Sequence, residues 1–514
     1  MIMEDLNFSI IHPILLIFVA FVIIENVRKN KKAVRRPPGP WQFPLIGNMH
    51  NLFGSSPHRV LRDLSNKYGP IMLLRLGTVP TLVVSSAELA EEILKIRGVE
   101  FADRPHILAA DIVIYNSTDI LFSPYGDHWR QMRKVCAMEL LSTRKVQSFR
   151  SIREEEVLNL LQLISSSCAS GSALNLTKLL FSFTYTVITR VTFGEKWTEQ
   201  PEKFSSLLSE LVVLFSGFNI ADMYPSVKFI QGAGGFRARA EKVHQRMDET
   251  FTNIIMKQRE KNKATSTGES NQEHLINVLL RVQKHAAGTE NPFTDDSIKG
   301  VLLDIFNGGS ETSSTTMEWA MAELIKNPRA MERAQTELRQ AFSGKGNVEE
   351  TGLDKLKYFH CIIKETMRLH PPFPLMVPRQ NRHECEINGY IIPAKTKVLV
   401  NGWAISRNPK YWGPDADVFK PERFLDNRTT HDYKGTNSEY IPFGAGKRIC
   451  PGTTFALAAV ELPLAQLLYH FDWNLATGLQ NKELEMTEQF GIVVRKKCNL
   501  HLNPLPYSGS FLDN

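Results

Sequence analysis

The chain has 514 residues, 43% of them hydrophobic and 22% charged, a globular composition longer than one ordinary core. Its formal charge of +7 does not point to nucleic acid: six bases (Arg28, Lys29, Lys31, Lys32, Arg35, Arg36) against three acids (Glu4, Asp5, Glu25) hold +3 of it before residue 37, and no basic block interleaved with aromatics follows. The six cysteines lack CxxC or any regular spacing, which argues against a disulfide scaffold or zinc site and suits a reducing compartment.

Residues 8–24, FSIIHPILLIFVAFVII, carry no acid, lysine or arginine, and this run is near the lower limit for crossing a bilayer. Acids precede it and bases follow, the reverse of a cleaved signal peptide, so the positive-inside rule puts residue 28 onward in the cytosol. Residues 1–27 are therefore expected to be a retained single-pass anchor in membrane lipid. The sequons at Asn116, Asn175 and Asn427 then face the cytosol and stay unmodified. Residues 28–48 read as a basic, proline-rich hinge, because Pro37, Pro38 and Pro40 withdraw N–H donors and stop a helix. A plain linker is the alternative.

Residues 69–86 (GPIMLLRLGTVPTLVVSS) predict short strands split by Gly and Pro. From residue 87 to about 342 the apolar spacing is mostly helical. Within it, Arg104 stands in FADRP, and WRQMRK sets Trp129 and Arg133 four apart on one helical face. Residues 260–273 are polar and read as a surface loop.

Thr294 and Asp295 offer a helix start and Pro328 a stop, predicting a long helix with Gly308 and Gly309 in its middle. Each glycine costs about 1 kcal/mol relative to Ala in a helix, so a kink that frees carbonyls is expected there. Glu311 and Thr312 follow at once, an acid beside a hydroxyl, a pair able to relay protons. A packing kink with a solvated Glu is the bland alternative.

In KETMRLHPP, Glu365 and Arg368 lie three apart on one helical face, which by itself is an ordinary ion pair. Arg379 follows in PLMVPRQ, and Asn388-Gly389 is a hairpin signal. Near the C-terminus, PFGAGKRICPG surrounds Cys450 with Gly444, Gly446, Gly452 and Pro451, a tight backbone course close to something flat or bulky. The apolar run after Gly452 predicts a helix whose N-terminus favours a thiolate. A buried thiol is the alternative for Cys450 alone.

Phe443, Gly446, Arg448, Cys450 and Gly452 resemble the haem-binding signature of cytochrome P450 monooxygenases, and the likeness runs over the whole chain. In detail it looks most like the plant microsomal A-type group, particularly its terpenoid oxidases. The resemblance implies a mainly α fold with small β-sheets, a helical prism around a buried haem b, with residues 49–514 as the catalytic domain. It makes Cys450 the axial thiolate of the iron. Thr312 becomes the oxygen-activating hydroxyl, with Glu311 as its acid partner. Phe443, Arg448, Trp129, Arg133, Arg104 and Arg379 become haem-binding residues, and Arg423 of PERF joins Glu365 and Arg368 in a structural network.

The same resemblance implies an endoplasmic-reticulum enzyme with its catalytic domain in the cytosol, fed with NADPH electrons by a separate NADPH-cytochrome P450 reductase. Substrate contact is expected from residues 106–115, 210–218, the start of the long helix, 371–377 and 490–494, which hold few charges. A lipophilic small molecule follows, a sesquiterpene or diterpene before phenolics or fatty acids. An isomerase on the same haem and a non-catalytic haem protein are the rivals, and the Glu311-Thr312 pair argues against the second.

Overall fold

The computed structural model describes residues 35–507 apart from 171–172, 195–200, 233–234, 265–272, 287, 289–291, 426–430 and 477–479. The expected anchor, the first part of the hinge, most of the polar loop and Asn427 lie outside the described residues. Among the described residues no helix is long and apolar enough to cross a membrane.

Helices dominate. The central one, Asp295–Lys326, starts where its cap predicts: the Thr294 side chain accepts from Ser297 N–H, with Asp295 and Asp296 in the first turn and Lys326 in the last. It is buried on nearly every side from Ser297 to Ile325, as a helix without a polar face must be. It packs against helices Leu176–Phe193 and Thr453–His470.

The helix continues through Gly308 and Gly309, where a kink is expected, and the Gly308 carbonyl takes the Thr312 hydroxyl as a donor. The two glycines answer to different neighbours. A Cβ on Gly309 would sit 2.5 Å from Ile188 Cδ1, so this residue lets the neighbouring helix approach closely, whereas Gly308 faces open space.

The strands form small sheets. Ile71–Leu76 and Val79–Val84 pair antiparallel, Lys397–Val400 joins in parallel, and Arg379–Gln380 closes a four-stranded sheet. Asn388 and Gly389, both at positive φ (50° and 75°), turn Cys385–Ile387 back onto Tyr390–Ile392, the hairpin their sequence predicts.

Candidate active site

The loop before helix Thr453–His470 is shaped by its glycines. Gly446 has φ +70°, and a Cβ there would lie 1.8 Å from the Leu94 carbonyl oxygen, so only glycine fits. The Cys450 N–H donates to the Phe443 carbonyl at 2.9 Å, closing the loop. The Cys450 sulfur accepts from Gly452 N–H at 3.3 Å. Its thiol has free surface, yet lies deep in the protein, because that surface opens into an internal cavity. Burial pushes the thiol's pKa up, and the Gly452 N–H and Arg133 pull it back down.

That cavity has an empty volume of about 1800 Å³, including its open mouth. Eight of the nine expected site residues line it: Cys450, Phe443, Arg448, Arg379, Arg104, Trp129, Arg133 and Thr312. Glu311 does not. It is fully buried with its carboxylate on Arg495, 3.4 Å from Nη1, and burial raises its pKa while Arg495 lowers it. The Thr312 hydroxyl donates to the Gly308 carbonyl at 2.5 Å, one turn back.

The arginines are crowded. Arg104 donates to the carbonyls of Leu121 (2.7 Å), Val377 (2.9 Å) and Pro378 (2.7 Å). Arg448 donates to Ala102 (3.0 Å), Ile120 (3.2 Å) and Ser123 (2.6 Å), and lies over the Trp129 ring. Arg379 donates to Ala445 O at 3.1 Å, but its buried Nη1 has no partner among the described residues. Burial, with the charge of Arg448, lowers Arg379 to about 9; burial, opposed by Asp119 and Asp103, lowers Arg448 to about 10; and burial, with the charges of Arg448 and Arg379, holds Arg104 well below its ordinary value. Buried guanidiniums facing one cavity, one with an orphaned donor, fit a ligand that brings carboxylates. A haem, with two carboxylates and an iron for the Cys450 sulfur, meets both demands. Among the described residues no group of three or more His, Cys, Asp and Glu offers an alternative metal site.

Behind the loop lies the expected structural network, complete. Arg368 donates to Glu365 through Nε (2.7 Å) and Nη2 (2.8 Å), Arg423 Nε through a third bond (2.9 Å), and Lys420 N–H adds a fourth (2.8 Å). Arg368 also caps the carbonyls of Ser406 and Ala416, both at 2.6 Å. The link to the cysteine loop is Tyr440, whose hydroxyl donates to Lys364 O at 3.1 Å.

Of the expected substrate segments, 371–377 contributes Pro372, Phe373, Met376 and Val377, 490–494 contributes Ile492 and Val493, and the central helix contributes Asp304, Ile305 and Asn307. Residues 106–115 and 210–218 do not line the cavity. The wall expected from 106–115 is made a few residues later by Ile120 and Leu121. Sequence reasoning missed Asp119 and Arg495, single charges outside any motif. The only signal for Arg495 is its place just past the apolar FGIVV run.

The family model described as Cytochrome P450 matches residues 37–502. Among curated relatives, premnaspirodiene oxygenase of Hyoscyamus muticus is 47% identical over 98% of this chain and 99% of its own length. The 5-epiaristolochene 1,3-dihydroxylase of Nicotiana tabacum is 46% identical over 98% and 99%. Tabersonine 6,7-epoxidase isoform 1 of Catharanthus roseus is 48% identical over 96% and 97%. A zebra fish cytochrome P450 structure with abiraterone superposes with TM-score 0.71 at 25% identity, covering 88% of this chain and all of that one. The chain therefore belongs to the cytochrome P450 family, oxidoreductases that carry haem b and receive NADPH electrons through a reductase.

Proposed function

We propose that this chain is an endoplasmic-reticulum oxygenase of a lipophilic small molecule, a sesquiterpene or diterpene, hydroxylated once or in successive steps. The observation that carries the reading is a single cavity whose wall holds the Cys450 thiol, Thr312 and a cluster of buried arginines, with most of the rest apolar. Bound haem b supplies dioxygen reduction, by which one oxygen atom enters the substrate and the other leaves as water.

The chain's own residues do the rest. Cys450 would hold the iron as a thiolate, aided by the Gly452 N–H. Arg379, with its free Nη1, and Arg133 would pair the haem carboxylates, with Arg104, Arg448 and Trp129 completing the cradle and Phe443 lining it. Thr312 holds a proton at Oγ1, and turning it toward the cavity breaks one hydrogen bond to Gly308. Glu311 holds a proton beside it, favoured by burial and set by Arg495.

Asp304, the one acid on the cavity wall among the described residues, is already engaged by the Ile120 N–H at 2.8 Å, which favours an uncharged substrate. The relatives named for premnaspirodiene and 5-epiaristolochene carry the olefinic endings of hydrocarbons. The relative named for tabersonine makes that compound a necessary competitor in any panel.

Residues 1–27 would anchor the chain and 28–48 would set the pose of the catalytic domain, 49–514. In support, Trp41 (67%), Leu45 (70%), Phe53 (72%) and Phe229 (82%) expose apolar side chains. Tyr224 OH donates to Leu45 O at 3.1 Å, which ties the segment before Phe229 to that of Leu45.

The test is spectral titration of the haem protein with sesquiterpene and diterpene hydrocarbons, tabersonine, phenolics and fatty acids, followed by turnover with a plant reductase. Tight binding and turnover confined to terpenes support the reading. Turnover of tabersonine or phenolics alone overturns the substrate class.

A further inference from the structure

The segment 119–123 lies beside the central helix and is held from two sides. Its carbonyls face cations and donors: Ile120 O accepts from Arg448 Nη1 (3.2 Å) and Trp129 Nε1 (3.0 Å), Leu121 O from Arg104 Nε (2.7 Å), and Ser123 O from Arg448 Nη2 (2.6 Å). Its N–H groups face carboxyls: Phe122 and Ser123 donate to Asp119 Oδ1 at 2.9 and 3.0 Å, and Ile120 donates to Asp304 Oδ2 at 2.8 Å. Ile120 and Leu121 line the cavity together with Asp304.

The two carboxyls are in an unusual position. Asp119 is wholly buried, and its Oδ2 meets no N–H or O–H donor among the described residues. Asp119 packs on the central helix at Gly300, its Cα 3.6 Å from where a Cβ there would sit, and the Asp304 carboxyl one turn on, which borders the cavity, is within hydrogen-bonding reach of the Asp119 carboxyl. Two carboxylates in contact away from water repel each other, whereas one proton between them makes an O–H···O bond and gives the orphaned oxygen its donor.

We propose that Asp119 and Asp304 share one proton at neutral pH, and that this bond clasps the 119–123 strap to the central helix. The clasp positions Ile120 and Leu121 in the cavity wall, and with them the carbonyls that orient Arg104, Trp129 and Arg448. Both acids are positioning residues. The clasp stands without the oxygenase reading; only its consequence for haem rests on that reading.

The charged and titratable groups facing the pair are Arg104 from the adjoining loop, Arg448 from the Cys450 loop, and the Cys136 thiol on the side of Asp304. Burial, then the charge of Asp119, holds Asp304 well above the usual carboxyl range, and burial raises Asp119. The raised values fix the sign. The clasp is intact at neutral pH and is lost as pH rises through the titration of the pair.

The test uses the full-length haem protein and two readouts. In the infrared, ¹³C-aspartate labelling of the wild type should shift the C=O stretch of a protonated, buried carboxyl at neutral pH, and Asp304→Asn should remove that band. Haem transfer to apomyoglobin should accelerate in the wild type as pH rises, by about tenfold for each 1.4 kcal/mol of clasp lost. Asp304→Asn, whose amide donates permanently while its oxygen still accepts from Ile120, should retain haem with no such alkaline step, and Asp304→Ala should release it quickly at every pH. Asp119→Asn repeats the test if Asp304→Asn does not fold. Absence of an aspartic C=O band in the neutral wild type overturns the proposal, as does an alkaline step unchanged in the Asn variants. A wild type with the band but no haem would leave the clasp standing and count against the oxygenase reading instead.

Discussion

Arg495 Nη1 stands 3.4 Å from Glu311 Oε1, on an acid that follows the central helix's two glycines yet does not line the cavity. The acid beside Thr312 does not itself line the cavity, and its proton affinity is raised by burial and lowered by the partly exposed Arg495 guanidinium and then by a hydrogen bond from Ser209.

This relationship predicts a pH effect. If Glu311 donates its proton, turnover falls as pH rises through its pKa. Arg495→Ala removes the charge that lowers this pKa, so the alkaline limb of the kcat profile should move to higher pH. Glu311→Gln should lower kcat by about 10²-fold or more while leaving haem content and substrate binding intact. An alkaline limb unmoved in Arg495→Ala counts against a proton role for Glu311.

Removing the buried hub should cost the cofactor. Glu365 and Arg368 are both fully buried, and Glu365→Ala takes the carboxylate from Arg368 and leaves Arg423 only the Asp415 carboxylate, at 3.5 Å. The expected loss is about 3–5 kcal/mol, seen as haem-free protein and a lowered Tm. Normal haem content in Glu365→Ala would contradict the role of this network in supporting the cysteine loop.

The glycines of that loop should not be equivalent. Gly444 has φ +74° and no protein atom within 4 Å of a Cβ, so within the protein Gly444→Ala costs backbone strain of about 1–2 kcal/mol, and because Gly444 lines the cavity any further loss comes from contact with the bound group. Gly446→Ala drives a Cβ into the Leu94 carbonyl and should abolish haem incorporation. Haem content measured on the two purified variants separates them.

The features legible in the sequence are those in which several residue types are forced at once. Cys450, Phe443 and Arg448 can be read because the loop that carries them admits only glycine at 446. The long helix can be read because Thr294 caps it and Pro328 begins the next helix. The Asn388-Gly389 turn can be read because both residues must take positive φ. What escapes is decided by how the chain folds over itself. Asp119 is one acid in an irregular segment, and its importance appears only when the central helix brings Asp304 against it. Gly309 reads as a kink position in one dimension, and only in three does its missing Cβ also make room for Ile188.

A stability prediction concerns acid. His470 is fully buried, and burial, then Arg339, lowers its pKa from 6.5 to about 4. The unfolded chain binds a proton there first, so its contribution is whole above the ordinary value and is lost as pH falls toward 4. The amount is about 3 kcal/mol, and His470→Gln should flatten the fall in Tm between neutral pH and that point.

The most direct test of the central claim is an incubation of membranes containing this chain and a plant reductase with terpene hydrocarbons under labelled dioxygen, with and without NADPH. The account predicts an NADPH-dependent product carrying one labelled oxygen per oxidation, lost in Cys450→Ser. A product that forms without NADPH, or whose new oxygen carries no label, would contradict it.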